Sequence, residues 1–199
     1  MDYLTIYKEL LSIAQAGLQY GKDPFDQDRY QKLNDLALTL IADLGNEPRE
    51  AIDSLFSQEI GYQTPKTDVR GWIYRNEKIL LVQDRQSKEW SLPGGYADVG
   101  LTPRENVEKE VLEETGLKVR ANELKAVFDT NLRKDIPQTF QYYKLVFNCV
   151  AIKGQFNANL ETSQAQYFAI DDLPELSVKR TTKEQLKILL KQVDQTYFE

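Results

Sequence analysis

The chain has 199 residues, of which 41% are hydrophobic, so it is long enough for one ordinary domain plus a small additional one. Its 31 acidic and 25 basic residues give a net charge of −6, which argues against broad electrostatic binding to nucleic acid or to an anionic membrane. No histidine is present, so histidine triads and histidine-rich zinc sites are excluded. Acid-base chemistry is left to carboxylates, lysine or tyrosine.

The sequence shows no signal peptide and no apolar stretch of membrane-spanning length, so we expect a cytoplasmic protein that does not contact membranes. The single cysteine, Cys149, cannot form a disulfide within one chain, and its apolar neighbours predict a buried core thiol.

The first 63 residues are predicted to form three amphipathic helices, which end at Gly21, Gly45 and Gly61. Their apolar positions at helical spacing are Leu4, Tyr7, Leu10, Leu11, Ala14 and Leu18, then Tyr30, Leu33, Ala37, Leu40, Ile41 and Leu44, then Ile52, Leu55, Phe56 and Ile60. Three such helices make a thin core alone, so we expect them to pack on the following domain or on a second copy. A DNA-reading helix-turn-helix is disfavoured because acidic residues run through the region without a basic face.

A polar segment containing Pro65 predicts the boundary between a helical domain at 1–63 and a second domain at 67–199. Beyond this boundary the pattern becomes that of strands. The predicted strands are 69–74 and 79–82, which flank a hairpin turn, and then 126–128, 142–152 and 167–170. An amphipathic helix is predicted from Thr182 to Tyr197, with Leu186, Leu189, Leu190 and Val193 on its apolar face.

The most informative stretch runs from Trp90 to Leu117, where a glycine loop leads directly into a short helix. Thr102 is the predicted N-cap, Pro103 suits the first helical position, and Glu105 completes a capping box. Gly116 provides the left-handed residue that ends such a helix.

Three carboxylates of this helix, those of Glu110, Glu113 and Glu114, are spaced i, i+3 and i+4 and therefore share one face. One interpretation is a solvated acidic face on which Lys109 pairs with Glu113. The other is a site for a hard cation, since oxygen clusters of this type bind Mg2+ or Mn2+ that also contacts phosphate. The helix alone leaves both open, and the glycine loop before it favours the cation.

The stretch resembles the Nudix box, G-x5-E-x7-R-E-U-x-E-E-x-G-U, in which U is a bulky aliphatic residue. The approach Leu92-Pro93-Gly94-Gly95 is also similar to that of the family. Two positions depart: Leu101 stands where the family has its first glutamate, and Lys109 stands where it has arginine. The positions that match in register are Gly95, Glu110, Val111, Glu113, Glu114, Gly116 and Leu117.

The resemblance implies an α/β fold, the Nudix α/β/α sandwich around a mixed sheet, preceded here by a small all-helical N-terminal domain. It also implies hydrolysis of the diphosphate in a nucleoside diphosphate linked to a group X, with Mg2+ or Mn2+ as cofactor. The implied metal ligands are Glu110, Glu114 and the main-chain carbonyl of Gly94. The candidate catalytic acids and bases are Glu113, Glu110 and Glu161; relatives often carry a glutamate at the position of Gln164.

The candidate substrate-binding residues are Arg70, Arg85, Trp90 and Tyr96, the arginines for phosphate and the aromatic rings for stacking or as walls. Each could equally be an ordinary surface or core residue.

The helical extension and the tail Leu173–Arg180 resemble a bacterial subgroup of ADP-ribose or CDP-choline pyrophosphatases, whose N-terminal helices help to form a homodimer. Pro137 lies farther past the box than the proline typical of the ADP-ribose subgroup, which slightly favours CDP-choline or another nucleoside diphosphate compound. A second hypothesis is a nucleotide-sugar sensor that has lost catalysis, because Leu101, Lys109 and Gln164 depart from the pattern. A third is hydrolysis of short RNA, against which the acidic charge weighs.

Overall fold

The structure is a computed structural model that describes residues 3–57, 61–136, 138–192 and 195–199. The chain divides into two compact units, Met1–Pro65 and Lys66–Glu199. Within the described ranges, no helix is long and apolar enough to cross a membrane.

The first unit consists of the helices α1 (Tyr3–Tyr20), α2 (Pro24–Gly45) and α3 (Arg49–Phe56). Gly17 allows α1 and α2 to approach closely, since a β-carbon at this position would lie only 2.3 Å from the ring of Tyr30. The side-chain amide of Gln27 donates to the main-chain oxygens of Gly17, Leu18 and Gly21. Gly17 O also accepts from the amide of Gly21, so Gln27 adds a second donor there and supplies a donor to the main-chain oxygens of Leu18 and Gly21 at the end of α1.

The ends of α2 differ in detail from the prediction. The carboxylate of Asp23 caps the first turn, accepting from the amides of Phe25 and Asp26. Gly45 is the last helical residue, and Asn46 adopts the left-handed conformation with φ 51°, which asparagine tolerates better than most residues. Helix α3 ends at Phe56, and the predicted helical position Ile60 lies outside the described residues.

Within the described residues, the second unit contains two four-stranded sheets and two α-helices. The first sheet has the order β1-β6-β5-β8, and in the second β3 pairs with β2, β4 and β7. The elements are β1 (Lys66–Trp72), β2 (Tyr74–Arg75), β3 (Lys78–Asp84), β4 (Trp90–Ser91), α4 (Pro103–Thr115), β5 (Leu117–Asp129), β6 (Tyr142–Gly154), β7 (Thr162–Ala169), α5 (Lys183–Lys191) and β8 (Tyr197–Phe198), with a short 3-10 helix at Thr130–Leu132.

The first sheet is mixed, because β1 runs parallel to β6 whereas β5 runs antiparallel to it. The predicted hairpin is also present: Asn76 and Glu77 have φ values of 50° and 59° between β2 and β3, as a tight two-residue turn requires. A helical region followed by a mixed-sheet α/β domain is the predicted fold class, which is therefore confirmed.

Several predicted elements were wrong in extent; β7, for example, begins at Thr162 instead of residue 167. Strand β5 spans thirteen residues instead of three. The sequence pattern missed its first half because that half is largely exposed and polar and pairs with β6 through several irregularities of register. The last helix ends at Lys191, and Tyr197 instead pairs with Ala126 in β8. Val193, predicted on the apolar face of that helix, lies outside the described residues.

Apolar side chains of the second unit form two clusters. One contains Trp72, Leu81, Phe128, Leu186 and Leu189 and includes helix α5. The other packs Val107 and Val111 of α4 against β1, β5 and β6 and includes the buried thiol of Cys149, as predicted. Helix α4 is thus fixed by its apolar face.

Candidate active site

The glycine loop after β4 is held by the main chain of β1. The amide of Gly71 donates to Pro93 O and the amide of Val69 to Gly95 O, both at 2.8 Å. Gly94 has φ +139°, and a β-carbon there would lie 2.0 Å from Val69 O. Only glycine therefore allows the loop to lie this close to the strand.

Helix α4 begins and ends at the predicted residues. Thr102 and Glu105 form a reciprocal capping box, and Gly116 takes the left-handed conformation with φ 70°. Val107 and Val111 are fully buried. Local signals at both ends thus fix the position of the three glutamates relative to the loop.

Two of those glutamates lie against the loop and one does not. Glu114 Oε2 accepts a hydrogen bond of 2.7 Å from the amide of Gly94. Glu110 is so close to Gly95 that a β-carbon there would lie 2.5 Å from its Oε2. The side chain of Glu113 is 57% exposed and is bound by Lys109 at 2.7 Å, which is the pairing considered from the sequence.

The carboxylates at the loop lie where negative charge is costly. Burial raises the pKa of Glu114 to about 7, although Arg70 and the Gly94 amide oppose this shift. Burial also raises the pKa of Glu110, against the opposing charge of Lys109. A cation beside both groups would lower this cost.

The donor set fits a hard divalent cation only in part. Among the described residues, no three acidic, cysteine or histidine side chains are grouped closely enough to hold a metal ion. Two carboxylates from α4 would therefore need main-chain, water or phosphate oxygens to complete the coordination, and these are ligands that Mg2+ and Mn2+ accept.

Arg70 lies beneath the loop. It is 5% exposed and forms a two-pronged pair with Asp68 at 2.7 and 2.8 Å, and it also donates to Leu92 O. Its charge is close enough to lower the pKa of Glu114. Arg70 therefore supplies positive potential from within the fold.

Two aromatic residues predicted to bind substrate have different environments. Tyr96 is 62% exposed and stacks on Tyr142, with ring centroids 5.5 Å apart. Trp90 is 7% exposed and packs edge-on against Phe168 in the core. The ring of Trp90 therefore packs in the core, whereas that of Tyr96 is open to solvent, and a substrate-binding role for either stays a prediction.

Arg85 and Glu161 are brought to neighbouring loops, since the amide of Arg85 donates to Glu161 O at 2.8 Å. Both side chains are exposed. The side-chain amide of Asn159 donates to the main-chain oxygens of Glu113 and Glu114 and so ties the loop before β7 to the end of α4. Sequence reasoning missed Asn159 because its partner is forty-five or more positions away.

Arg180 is a further residue that the sequence did not single out as functional. Its guanidinium pairs with Asp84 at 2.8 Å. The charge of Arg180 also opposes the rise that burial causes in the pKa of Glu114. The place of Arg180 in the C-terminal part of the sequence did not predict that its charge would act on Glu114 of α4.

Comparison with known proteins agrees with this geometry. The NUDIX domain model matches residues 64–191. The chain belongs to the Nudix family. A second model, described as a UDP-X-like N-terminal oligomerisation domain, matches residues 1–56. The chain is thus a Nudix hydrolase of the pyrophosphatase class, in a family that generally uses divalent cations.

Relatives cover both units. A Bacillus subtilis protein provisionally named an ADP-ribose pyrophosphatase is 42% identical over 94% of this chain and 90% of its own length. The crystal structure of a UDP-X diphosphatase is 40% identical, with a TM-score of 0.66, over 100% of this chain and 98% of that one. The structure of an ADP-ribose pyrophosphatase from Streptococcus suis is 38% identical, with a TM-score of 0.61, over 68% of this chain and 100% of that one.

Proposed function

We propose that the protein hydrolyses the diphosphate of a nucleoside diphosphate linked to a group X, with Mg2+ or Mn2+ held by Glu110, Glu114 and the main-chain carbonyl of Gly94. The observation that carries this proposal is the placement of two half-buried glutamates against the glycine loop. Hydrolysis of nucleoside diphosphate–X compounds is also the activity that the names of the full-length relatives describe.

The chemical demand is attack by water on a phosphorus atom that negative oxygens shield. Water forms a new bond to phosphorus, and the bond from phosphorus to the bridging oxygen breaks, giving a nucleoside monophosphate and phosphorylated X. A bound divalent cation would neutralise the phosphate oxygens. Arg70 and Arg180 add positive potential beside Glu114.

Three glutamates are candidates for the acid-base residue. Glu110 lies at the loop, whereas Glu113 is engaged by Lys109. Glu161 is exposed on the loop that Asn159 ties to the end of α4, and its amide donates to Asn159 Oδ1. Glu161 is therefore the candidate base that a metal would leave free to act on water.

The contacts to the substrate are assigned by accessibility. Tyr96 offers an exposed ring next to the glycine loop and would stack on the nucleobase. Arg85 is exposed at the neighbouring loop and would contact phosphate. The names of the relatives favour ADP-ribose and UDP-linked compounds, while Pro137, the residue that favoured CDP-choline, lies outside the described residues.

A substrate panel tests the proposal. Purified protein would be incubated with ADP-ribose, UDP-glucose, CDP-choline, NADH and a short RNA, each with Mg2+, with Mn2+ or with EDTA, and the products separated by ion-exchange chromatography. We expect a nucleoside monophosphate from at least one diphosphate compound, and only with metal. Binding of these compounds without turnover of any would instead favour the sensor hypothesis.

Replacement of Glu114 by glutamine tests the metal assignment. Because Gln retains the shape but not the charge, Glu114→Gln should lower kcat/KM at fixed Mg2+ by at least about 100-fold, at the upper end of what loss of a metal-supporting residue costs. Glu108→Gln is the matched control on the same helix, since Glu108 contacts the amide of Ala121 in β5. An unchanged rate in Glu114→Gln would contradict the assignment.

We also propose that the protein is a homodimer formed through its first unit. The match to an oligomerisation domain supports this, and so does an apolar stripe on α2: Leu36, Leu40 and Leu44 are 53%, 37% and 50% exposed at successive helical turns.

A further inference from the structure

The segment between the glycine loop and α4 is fixed by one buried amide. Asn106 is 1% exposed. Its Oδ1 accepts from the amide of Asp98 at 2.8 Å, and its Nδ2 donates to the main-chain oxygens of Asp98, Leu101 and Thr102 at 3.2–3.3 Å. The main chain of Asp98 is therefore held in one position beside the helix.

This position brings the carboxylate of Asp98 to Lys109. Lys109 Nζ lies 3.2 Å from Asp98 Oδ2, 2.7 Å from Glu113 Oε2 and 3.5 Å from Glu110 Oε1. The ammonium group is thus shared by three acids, and its longest contact is the one to Glu110. Leu101, at the position where the Nudix box has a glutamate, has no charge to offer.

We infer that Asp98 is a positioning residue, which together with Glu113 holds Lys109 and so leaves the Glu110 carboxylate available to a divalent cation. The inference rests on the proposed function, because Glu110 is one of the proposed metal ligands. Without the Asp98 carboxylate, Lys109 would be shared by two acids instead of three. Its ammonium would then compete with the cation for Glu110.

A purely structural role for Asp98 is distinguishable from this one. The side chains of Asp98 and Lys109 are 57% and 37% exposed, and exposed ion pairs of this kind contribute little to stability. Loss of the carboxylate should therefore leave the unfolding midpoint nearly unchanged. An effect on cation binding at constant stability would come from positioning.

The experiment measures Mn2+ binding by isothermal titration calorimetry with the full-length protein, so that its readout does not depend on turnover. Asp98→Asn should weaken Mn2+ binding about tenfold, the effect expected for a residue that orients a metal ligand. Asp98→Glu keeps a carboxylate within reach and should retain most of the affinity. Glu123→Gln is the control, because Glu123 is an exposed carboxylate hydrogen-bonded to Asn148 in the same unit.

A double-mutant cycle tests whether Asp98 acts through Lys109. In a Lys109→Met background, the further change Asp98→Asn should not alter the Mn2+ affinity. In the Lys109-containing protein, it should raise the Mg2+ concentration at half-maximal rate more than it lowers kcat.

Three outcomes would overturn the inference. Equal Mn2+ affinity in wild type and Asp98→Asn would overturn it alone, as would an undiminished effect of Asp98→Asn in the Lys109→Met background. A wild-type protein that binds no Mn2+ would overturn the proposed metal site and this inference together.

Discussion

At the scale of single residues, Lys144 is a cationic side chain in a buried position. It is 3% exposed, and its ammonium donates to the main-chain oxygen of Arg180. Burial lowers its pKa to about 8, helped by the charges of Arg70, Arg133 and Arg180 and opposed by that of Asp68. An unfolded lysine titrates at about pH 10.4.

The sign of the pH effect follows from these two values. Between about pH 8 and pH 10.4 the unfolded chain binds more protons at this site than the folded protein does, so stability rises with pH there. Below that window the folded protein bears the whole cost of a buried ammonium.

Lys144→Met should therefore raise the free energy of unfolding at pH 7 by about 1–3 kcal/mol, allowing for the lost hydrogen bond. At pH 10 the gain should disappear. Urea unfolding at both values measures it, and Lys153→Met, at an exposed position of the same strand, should show no such dependence. A gain equal at both pH values would contradict the role of charge.

Residue-scale reasoning from sequence reached Glu110, Glu114 and their loop because those residues form one local motif. It did not reach Asp98, Asn159 or Arg180. Asp98 and Asn159 act through contacts of their loops with α4, and Asn159 bonds to residues 45 and 46 positions away. Arg180 pairs with Asp84 and acts on Glu114 through its charge. The local sequence around such residues does not predict which residues they contact.

At the scale of elements, the central contact is that of the glycine loop with β1. A β-carbon at Gly94 would lie 2.0 Å from Val69 O and 2.9 Å from Arg70 Cα, and these main-chain atoms cannot move without disturbing the strand. Gly100 also has positive φ, at +92°, but no atom lies within 4 Å of the corresponding position. The two glycines therefore separate the effect of contact from that of backbone conformation.

Gly94→Ala should cost more than about 2 kcal/mol in unfolding free energy and should abolish hydrolysis, because the loop must leave β1 and Glu114 loses the amide of residue 94. Gly100→Ala should cost only about 1 kcal/mol, the strain of the backbone alone. Chemical denaturation and rate measurements on both variants compare them. Equal losses in the two would show that the loop does not depend on close contact with the strand.

Elements differ in how well the sequence predicted them. The ends of α4 were correct because Thr102, Glu105 and Gly116 act within one or two turns. The first half of β5 was missed because its pairing with β6 fixes it, and the chain end was missed because Tyr197 and Phe198 pair with Ala126 and Val127. Two-residue strands of this kind carry no periodicity of their own.

At the scale of the whole molecule, the helical unit is the part that matches an oligomerisation domain. Its interior uses Leu11, Ala14, Ala37, Leu38 and Ile41, all buried. Leu36, Leu40 and Leu44 follow one another at four-residue spacing on another side of α2 and are exposed. A row of leucines in water is costly, and burial against the same row of a second copy would offset that cost.

Leu40→Asp should therefore convert the proposed dimer into a monomer, because a carboxylate in the centre of an apolar contact cannot be buried without a partner. Light scattering coupled to size-exclusion chromatography measures the mass directly. Leu160→Asp introduces the same change at a leucine that is 94% exposed in the second unit, and it should leave the mass of a dimer. A dimer that survives Leu40→Asp would show that another surface joins the two copies. If hydrolysis by the monomeric variant also proceeds at the wild-type rate, then the residues of one second unit suffice for the reaction and the helices serve assembly alone.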